Sequence, residues 1–229
     1  MKPLINKQKV VFFTGAGISA ESGLETFRDS DGMWEKIDVM SVASTTGWQQ
    51  NPGLVLDFFN QRRQKMLQAE PTAAHHAIAE LQAKYDVVVI TQNIDDLHER
   101  AGSRQVIHLH GSVLCGRSSV HADRLYPISE KGIQLGDLCE FGSQIRPNIV
   151  WFGESVQNME EAKRHVIEAG TVVAIGTSLV VQPAAGLLRY ARFHANKMLI
   201  TLDVGSQVPF GFRWIRAKAS ECTHLIKSL

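Results

Sequence analysis

The chain has 229 residues, 44% of them hydrophobic and 21% charged, with a formal net charge of +1. That length suits one substantial core, or a core with a smaller module grafted on, and the small charge excludes a global field that recruits nucleic acid or an anionic membrane. No run approaches the roughly 18 apolar residues of a membrane span, and "MKPLINKQKV" has no apolar signal core, so no membrane partner and a cytoplasmic location are expected.

In chain order, "KVVFF" (9–13) is the first expected strand, and a loop, "TGAGISAESG", follows it. Residues 28–70 read as mainly helical and amphipathic. Pro71 and the N-cap candidate Thr72 open a helix over 72–84. "DVVVI" (86–90) and "VIHLH" (106–110) read as strands, and 112–149 is polar and turn-rich. A helix over 158–170 is expected to stop at Gly170. "TVVAIG" (171–176) and "KMLITL" (197–202) are strands flanking a helix over 182–195 with Pro183 in its first turn. β-Branched runs bounded by polar or glycine residues suit strands buried on both faces. Their alternation with helices predicts an α/β fold, a doubly wound, Rossmann-like parallel sheet. The core is expected over 1–27, 71–111 and 150–229, with one smaller module formed by the two insertions, 28–70 and 112–149. The cleft between them, beyond the carboxyl ends of the strands, is the expected site.

Gly15, Ala16 and Gly17 follow the first strand, where glycine backbone and a helix N-terminus can grip phosphate. The spacing is not GxGxxG, because Ala20 stands where a third glycine belongs, so a merely tight strand–helix turn is the alternative. Gln92, Asn93 and Asp95 stand at the end of a buried strand, suited either to orienting a ribose and a carboxamide or to helix capping. Asp96 and His98 are read as helix surface. His108 and His110 would share one face of a strand. Taken alone, such a pair is more often structural or metal-binding.

"GAGISAESGLETFR", "TQNIDDLHERAG", "HLHGS", "RPNIVWFGE" and "GTSLVVQPAAG" occur in that order. Together they resemble the sirtuin family of NAD-dependent protein lysine deacylases over nearly the whole chain. The resemblance implies that the acyl-lysine carbonyl oxygen attacks C1′ of the nicotinamide ribose, giving free lysine, nicotinamide and O-acyl-ADP-ribose. By resemblance His110 is the base, working with Asn93 and Asp95, since an imidazole can take and return a proton near neutrality. Gly15, Ala16, Gly17, Ser19, Phe27, Arg28, Gln92, Asn93 and Asp95 would hold NAD. Gly176, Thr177 and Ser178 would meet its adenosine half, with Ala219 near the adenine. Thr201 and Asp203 stand where the family often shows Asn-Leu-Glu, an altered ribose contact. Val150, Phe152, Gly153 and Glu154, with Leu179 and Val180, resemble the two edges that take an acyl-lysine protein as an added strand. The four tryptophans read as packing residues, and a monomer is expected.

Two departures stand out. The family's zinc cysteines align with Ser118, His121, Cys139 and Gly142, which cannot complete a tetrahedral site, so structural zinc is expected to be absent unless Cys115 or a nearby histidine substitutes. The three cysteines include no CxxC. Leu125, Tyr126, Ile128, Ile133 and Leu135 are then left to pack the module. In the acyl pocket, Ala43, Phe59 and Arg62 align with an Ala and a Tyr-x-x-Arg pair that receives succinyl or malonyl carboxylates. Arg62 keeps the charge and Phe59 lacks the hydroxyl; a solvated helix arginine, as Arg63 is read, is the alternative. Protein ADP-ribosyl transfer and a non-enzymatic NAD-binding subunit are the rival functions, and Asn93, Asp95 and His110 together speak against the second.

Overall fold

The computed structural model describes residues 6–26, 38–205 and 207–229. Its elements run β1 (Asn6–Thr14), a 3₁₀ turn (Ala16–Ile18), α1 (Val39–Val42), α2 (Thr45–Gln50) and α3 (Pro52–Gln68). Next come α4 (Ala73–Glu80), β2 (Asp86–Thr91), α5 (Leu97–Arg100) and β3 (Val106–His108). The polar stretch forms β4 (Gly111–Ser118), β5 (Leu125–Pro127) and β6 (Ile145–Ile149). The chain closes with α6 (Met159–Glu168), β7 (Ala169–Ile175), a 3₁₀ helix (Ala184–Tyr190), β8 (Asn196–Ile200), β9 (Arg213–Ile215) and α7 (Thr223–Lys227).

Six strands form a sheet in the order β3-β2-β1-β7-β8-β9, with every neighbouring pair parallel. Alternate side chains feed opposite faces, as the pleat requires. Val11, Phe13, Val88, Ile90, Val172 and Ala174 pack under α6 and the second 3₁₀ helix. Val10, Phe12, Val87, Val89, Val173 and Ile175 pack under α4 and α7. Both faces are covered, so the α/β expectation holds. A second, antiparallel sheet has the order β5-β4-β6. It meets α1–α3 in a third core, where Val42, Phe58, Phe59 and Met66 join Leu97, Val113, Ile149 and Trp151.

Local signals explain several starts. The Thr72 side chain accepts from His75 N–H while the His75 ring returns the bond to Thr72 N–H, a capping box with histidine at its third position. Asn51 caps α3 through Leu54 N–H, with Pro52 in the first turn. Other expectations fail. Gly170 does not stop a helix: α6 ends at Glu168, and Gly170 lies within β7, where a Cβ would sit 2.7 Å from Lys7 Cα. The segment 182–195 forms only the 3₁₀ helix Ala184–Tyr190, whose residues 184–188 are all buried. The strand 106–110 ends at His108. In the module, Ile133 is buried but Leu125 and Leu135 are exposed, so they do not pack it. Trp214 is likewise 43% exposed; its indole N–H donates to the Thr201 carbonyl at 3.0 Å.

Candidate active site

The loops after β1 and β7, adjacent central strands, lie on either side of the point where the strand order reverses, the place where open α/β sheets bind ligands. These two loops are interlocked. Gly15 N–H donates to Ile175 O at 3.0 Å and Gly17 N–H to Gly176 O at 2.8 Å. A Cβ on Gly15 would meet Gly176 O at 2.9 Å, and one on Gly17 would meet Gly176 Cα at 2.8 Å. Gly176 itself has φ +63, and a Cβ there would reach Ile18 N at 2.3 Å. The glycines therefore let one loop approach the other. Ala16 is the first residue of the 3₁₀ turn.

The loop after β2 adds a buried polar chain. Asn93 Nδ2 donates to Ser19 Oγ at 3.1 Å and to Gly15 O at 3.3 Å. Ser19 Oγ donates to Asp95 Oδ2 at 3.2 Å, and Leu97 N–H donates to Asp95 Oδ1 at 3.2 Å. Burial pushes the Asp95 carboxyl above its usual range, against the Leu97 and Ser19 hydrogen bonds that stabilise its anion. Gln92 Nε2 donates to Thr177 Oγ1 at 3.0 Å, joining this loop to the one after β7. Amides, hydroxyls and one carboxylate, held on three strand ends, suit a ligand rich in hydroxyls and carboxamide.

His110 stands in the two-residue link between β3 and β4. Its Nδ1 donates to the Gln92 carbonyl at 2.8 Å. A carbonyl only accepts, so the neutral ring's proton is on Nδ1 and Nε2 keeps the lone pair. Burial lowers the His110 pKa, partly offset by that carbonyl. Two residues earlier, His108 Nδ1 donates to the Asn93 carbonyl at 3.1 Å and Nε2 to Glu99 Oε1 at 2.7 Å. His98, read as helix surface, is 1% exposed, and its Nε2 pairs with Thr14 Oγ1 at 3.0 Å. Its ring stands edge-on to His75, with centroids 4.7 Å apart. Apolar neighbours in "NIDDLHERAG" were the available signal, and the helix is too short to show a period.

On the far side of β7, Thr201 is buried and donates its hydroxyl to the Asp203 carbonyl at 3.1 Å, while the Asp203 side chain is exposed. Ala219 is 4% exposed in the sheet's second core. Ser220 Oγ, next to it, donates to Glu21 Oε1 at 2.6 Å, tying that loop to the one after β1. Ser178 O accepts from Gly205 N–H at 3.0 Å. Phe27 and Arg28 lie outside the described residues.

The expected substrate edge at 150–154 is already paired. Val150, Phe152 and Glu154 donate their N–H groups to His110, Ala43 and Trp151 carbonyls at 2.9, 2.9 and 3.0 Å, and Phe152 O accepts from Thr45 N–H. Gly153 bends the segment at φ +95. The Glu154 carboxylate takes Arg146 Nη1 and Nη2 at 2.9 and 2.8 Å, Arg117 Nη2 at 2.8 Å and Trp151 N–H at 2.9 Å. Glu154 thus anchors the segment to β4 and β6, a role its motif does not announce. The Phe152 and Val180 side chains stay exposed at 44% and 49%, whereas Leu179 is buried.

Ala43 and Phe59 share the third core, and Arg62, one turn along α3 from Phe59, is buried as well. Phe59 stacks on Trp151 with centroids 6.4 Å apart. Arg62 Nη2 donates to the Glu25 carbonyl at 3.3 Å, and burial lowers its pKa while the Glu25 and Asp95 charges oppose the shift. Arg62 is therefore not a solvated arginine. Neither is Arg63, at 9% exposure, whose Nη2 reaches the Ile128 carbonyl at 3.5 Å.

At the aligned zinc positions, Ser118 Oγ accepts from Val120 and His121 N–H at 3.2 and 3.0 Å and pairs with Ser143 Oγ at 2.8 Å. Cys139 Sγ lies 2.9 Å from Ser143 Oγ, whose hydrogen bond draws the thiol down to about 7. The His121 ring packs against Phe141 with centroids 4.6 Å apart. No group of three or more His, Cys, Asp or Glu side chains placed to hold a metal occurs among the described residues. One hydroxyl, one imidazole, one thiol and a glycine do not supply the four ligands of a structural zinc. No helix among the described residues is long and apolar enough to cross a membrane.

The Sir2 family model matches residues 15–183. A NAD-dependent protein deacylase of Helicobacter pylori is 50% identical over 196 residues, covering 86% of this chain and 84% of that protein. One of Bacteroides thetaiotaomicron is 43% identical over 228 residues, covering 97% of both. A crystal structure of a Sir2 homologue with NAD superposes with a TM-score of 0.85 at 35% identity, covering 97% of this chain and 89% of that one.

Proposed function

Because the chain belongs to the Sir2 family and is an NAD-dependent protein deacylase, we propose how its own residues carry out that reaction. NAD, when bound, supplies the ADP-ribosyl group that accepts the acyl chain and the nicotinamide that leaves. Ser19, Gln92, Asn93, Asp95 and Thr177 hold its ribose hydroxyls and carboxamide, and the loop 15–17 supports the pyrophosphate. Gly176–Ser178 and the Thr201, Asp203 and Ala219 region flank the adenosine half. The observation that carries the reading is His110: Nδ1 is committed to the Gln92 carbonyl, so Nε2 is the proton acceptor, working with Asn93 and Asp95. Burial keeps that ring neutral at physiological pH, as a base requires.

The acyl-lysine protein enters between Phe152 and Val180, whose side chains are exposed. Main-chain pairing at 150–154 is limited to groups other than the four N–H donors already used, those of Val150, Trp151, Phe152 and Glu154. Its acyl end meets Ala43, Phe59 and Arg62. Arg62 can receive a succinyl or malonyl carboxylate, but Glu25 and Asp95 compete for its charge. Both acetyl and acidic acyl groups are therefore substrates, with a modest acidic preference. The test is incubation with NAD and matched acetyl-, succinyl- and malonyl-lysine peptides, with products identified by mass. Nicotinamide with O-acyl-ADP-ribose is the expected result; ADP-ribose attached to protein with no loss of acyl groups would overturn it.

A further inference from the structure

Two histidines, two residues apart, grip consecutive carbonyls of the loop after β2, yet their second nitrogens face different chemistry. His110 holds the Gln92 carbonyl through Nδ1 and keeps Nε2 as an acceptor. His108 holds the Asn93 carbonyl through Nδ1, and its Nε2 is 2.7 Å from a carboxylate oxygen of Glu99. Both partners of His108 are acceptors. A neutral imidazole carries one N–H and would turn a lone pair towards one of them, so satisfying both contacts takes two protons.

We propose that His108, held as an imidazolium between Asn93 and Glu99, is a positioning residue that clamps the cofactor-contacting loop and sets the alkaline limit of activity. The clamp acts on Asn93, whose side chain carries the hydrogen bonds to Ser19 and Gly15. Its backing is firm. The His108 carbonyl accepts from Asn158 Nδ2 at 3.1 Å, and Leu109 N–H donates to Thr91 O at 2.9 Å. The groups facing His108 are the acidic Glu99, Asp95 and Asp96 and the neutral, buried His98. Burial disfavours the cation, but the hydrogen bond and charge of Glu99, the Asn93 carbonyl and Asp95 outweigh it, and the net shift is upward. A raised value keeps the clamp closed below it and releases the Glu99 contact as pH rises through it.

The acid limb of kcat/KM then belongs to His110 and the alkaline limb to His108. Only the acid limb rests on the proposed role of His110. The experiment follows kcat/KM and KM for NAD against pH in the wild type, Glu99→Gln and His108→Gln, with the His108 ring nitrogens followed by NMR. Glu99→Gln offers Nε2 an amide that can donate or accept, so the contact survives loss of the proton and the alkaline limb disappears. His108→Gln removes the titrating group and one of two hydrogen bonds; the limb disappears and KM for NAD rises by about 2- to 10-fold. NMR should show two N–H protons on wild-type His108 at neutral pH and one in Glu99→Gln. A wild-type alkaline limb in either variant, or a singly protonated wild-type His108, overturns the proposal. If His110→Ala stays active while these results hold, the base assignment fails and the clamp stands.

Discussion

The loops of the cleft and the tip of the module around Ser118–Ser143 are both small polar networks, and they differ in what their burial allows. In the cleft, Ser19, Asn93, Asp95 and Thr177 are all buried and each bonds a neighbouring loop. The groups proposed to touch NAD are the same ones that hold the three strand ends in register. At the tip, Ser118 and Cys139 are buried, but Leu125, Leu138 and Phe141 around them are more than half exposed. The Ser118 hydroxyl caps two N–H groups much as a metal-bound thiolate could, without the ligands to hold a metal. Chemistry and structure are fused in the cleft and separable at the tip.

The largest effect should come from His110, whose Nδ1 is committed to the Gln92 carbonyl while Nε2 is the proposed proton acceptor. His110→Ala should lower deacylation by about 100- to 10,000-fold, with thermal stability and NAD binding nearly intact. Full turnover in a folded variant would remove His110 from the mechanism. Glu154 presents the opposite case. Its carboxylate is the counter-charge for Arg117 and Arg146, whose side chains are 8% and 5% exposed. Glu154→Ala strands two buried guanidinium groups, and about 3–5 kcal/mol of stability should be lost in urea unfolding. A loss within experimental error would show the network to be dispensable.

Acid sharpens the comparison further. Burial first, then the neighbouring His76, pulls His75 down to about 4, against the pull of Glu99, and burial holds His98 well below its usual value. Both are neutral in the folded protein. Their contribution is complete above the unfolded value near 6.5 and is lost as pH falls towards about 4. A tenfold change in proton affinity corresponds to about 1.4 kcal/mol, so His75 alone contributes on the order of 3 kcal/mol. Denaturant midpoints measured across that window should fall steeply in the wild type and less in His75→Gln. A flat profile would mean the pair titrates normally.

The sheet was legible because its strands are continuous β-branched runs, and the motif order located the cleft. That Gly15 and Gly17 also admit the loop after β7 was not legible, since a glycine that admits a ligand and one that admits another loop look alike in sequence. His98 and Arg63 were hidden for a related reason: polar residues on short or mixed helices are buried by tertiary partners that the local pattern does not name. In α3 the buried side chains include both arginines beside Phe58 and Phe59. Glu154 was placed on a substrate edge from its motif, and only the fold brings Arg117 and Arg146 to it.

Arg62 separates substrate chemistry from packing on the cleft's acyl side. A hydrogen bond to a charged group is worth about 1.5–3 kcal/mol, or roughly 10- to 150-fold. Arg62→Met should cut kcat/KM on succinyl-lysine by that factor while sparing acetyl-lysine. Phe59→Tyr should raise succinyl turnover if its hydroxyl can reach the carboxylate past Trp151. Equal losses on both substrates after Arg62→Met would make Arg62 purely structural.

The smallest effect is expected at the tip, and it tests whether structure and chemistry really separate there. Ser118→Ala removes a shared hydroxyl and should cost about 1 kcal/mol; chelators should leave the wild-type Tm unchanged, and purified protein should carry far less than stoichiometric zinc. The geometry also allows the reverse change. A tetrahedral zinc with Zn–S bonds of about 2.3 Å holds its sulfurs about 3.8 Å apart, and Ser118 Oγ stands 3.8 Å from Cys139 Sγ. A Cβ on Gly142 would meet nothing within 4 Å, although its φ of +74 strains any side chain placed there, by roughly 1–2 kcal/mol. Ser118→Cys with Gly142→Cys would join Cys139 and the neighbouring His121 in a four-ligand set. Metal binding should repay that strain, so the double variant should bind one zinc and melt higher with zinc than with chelator. If the double variant binds no zinc, the tip lacks the geometry as well as the ligands. Stoichiometric zinc in the wild type would show instead that the tip carries chemistry the cleft comparison denies it.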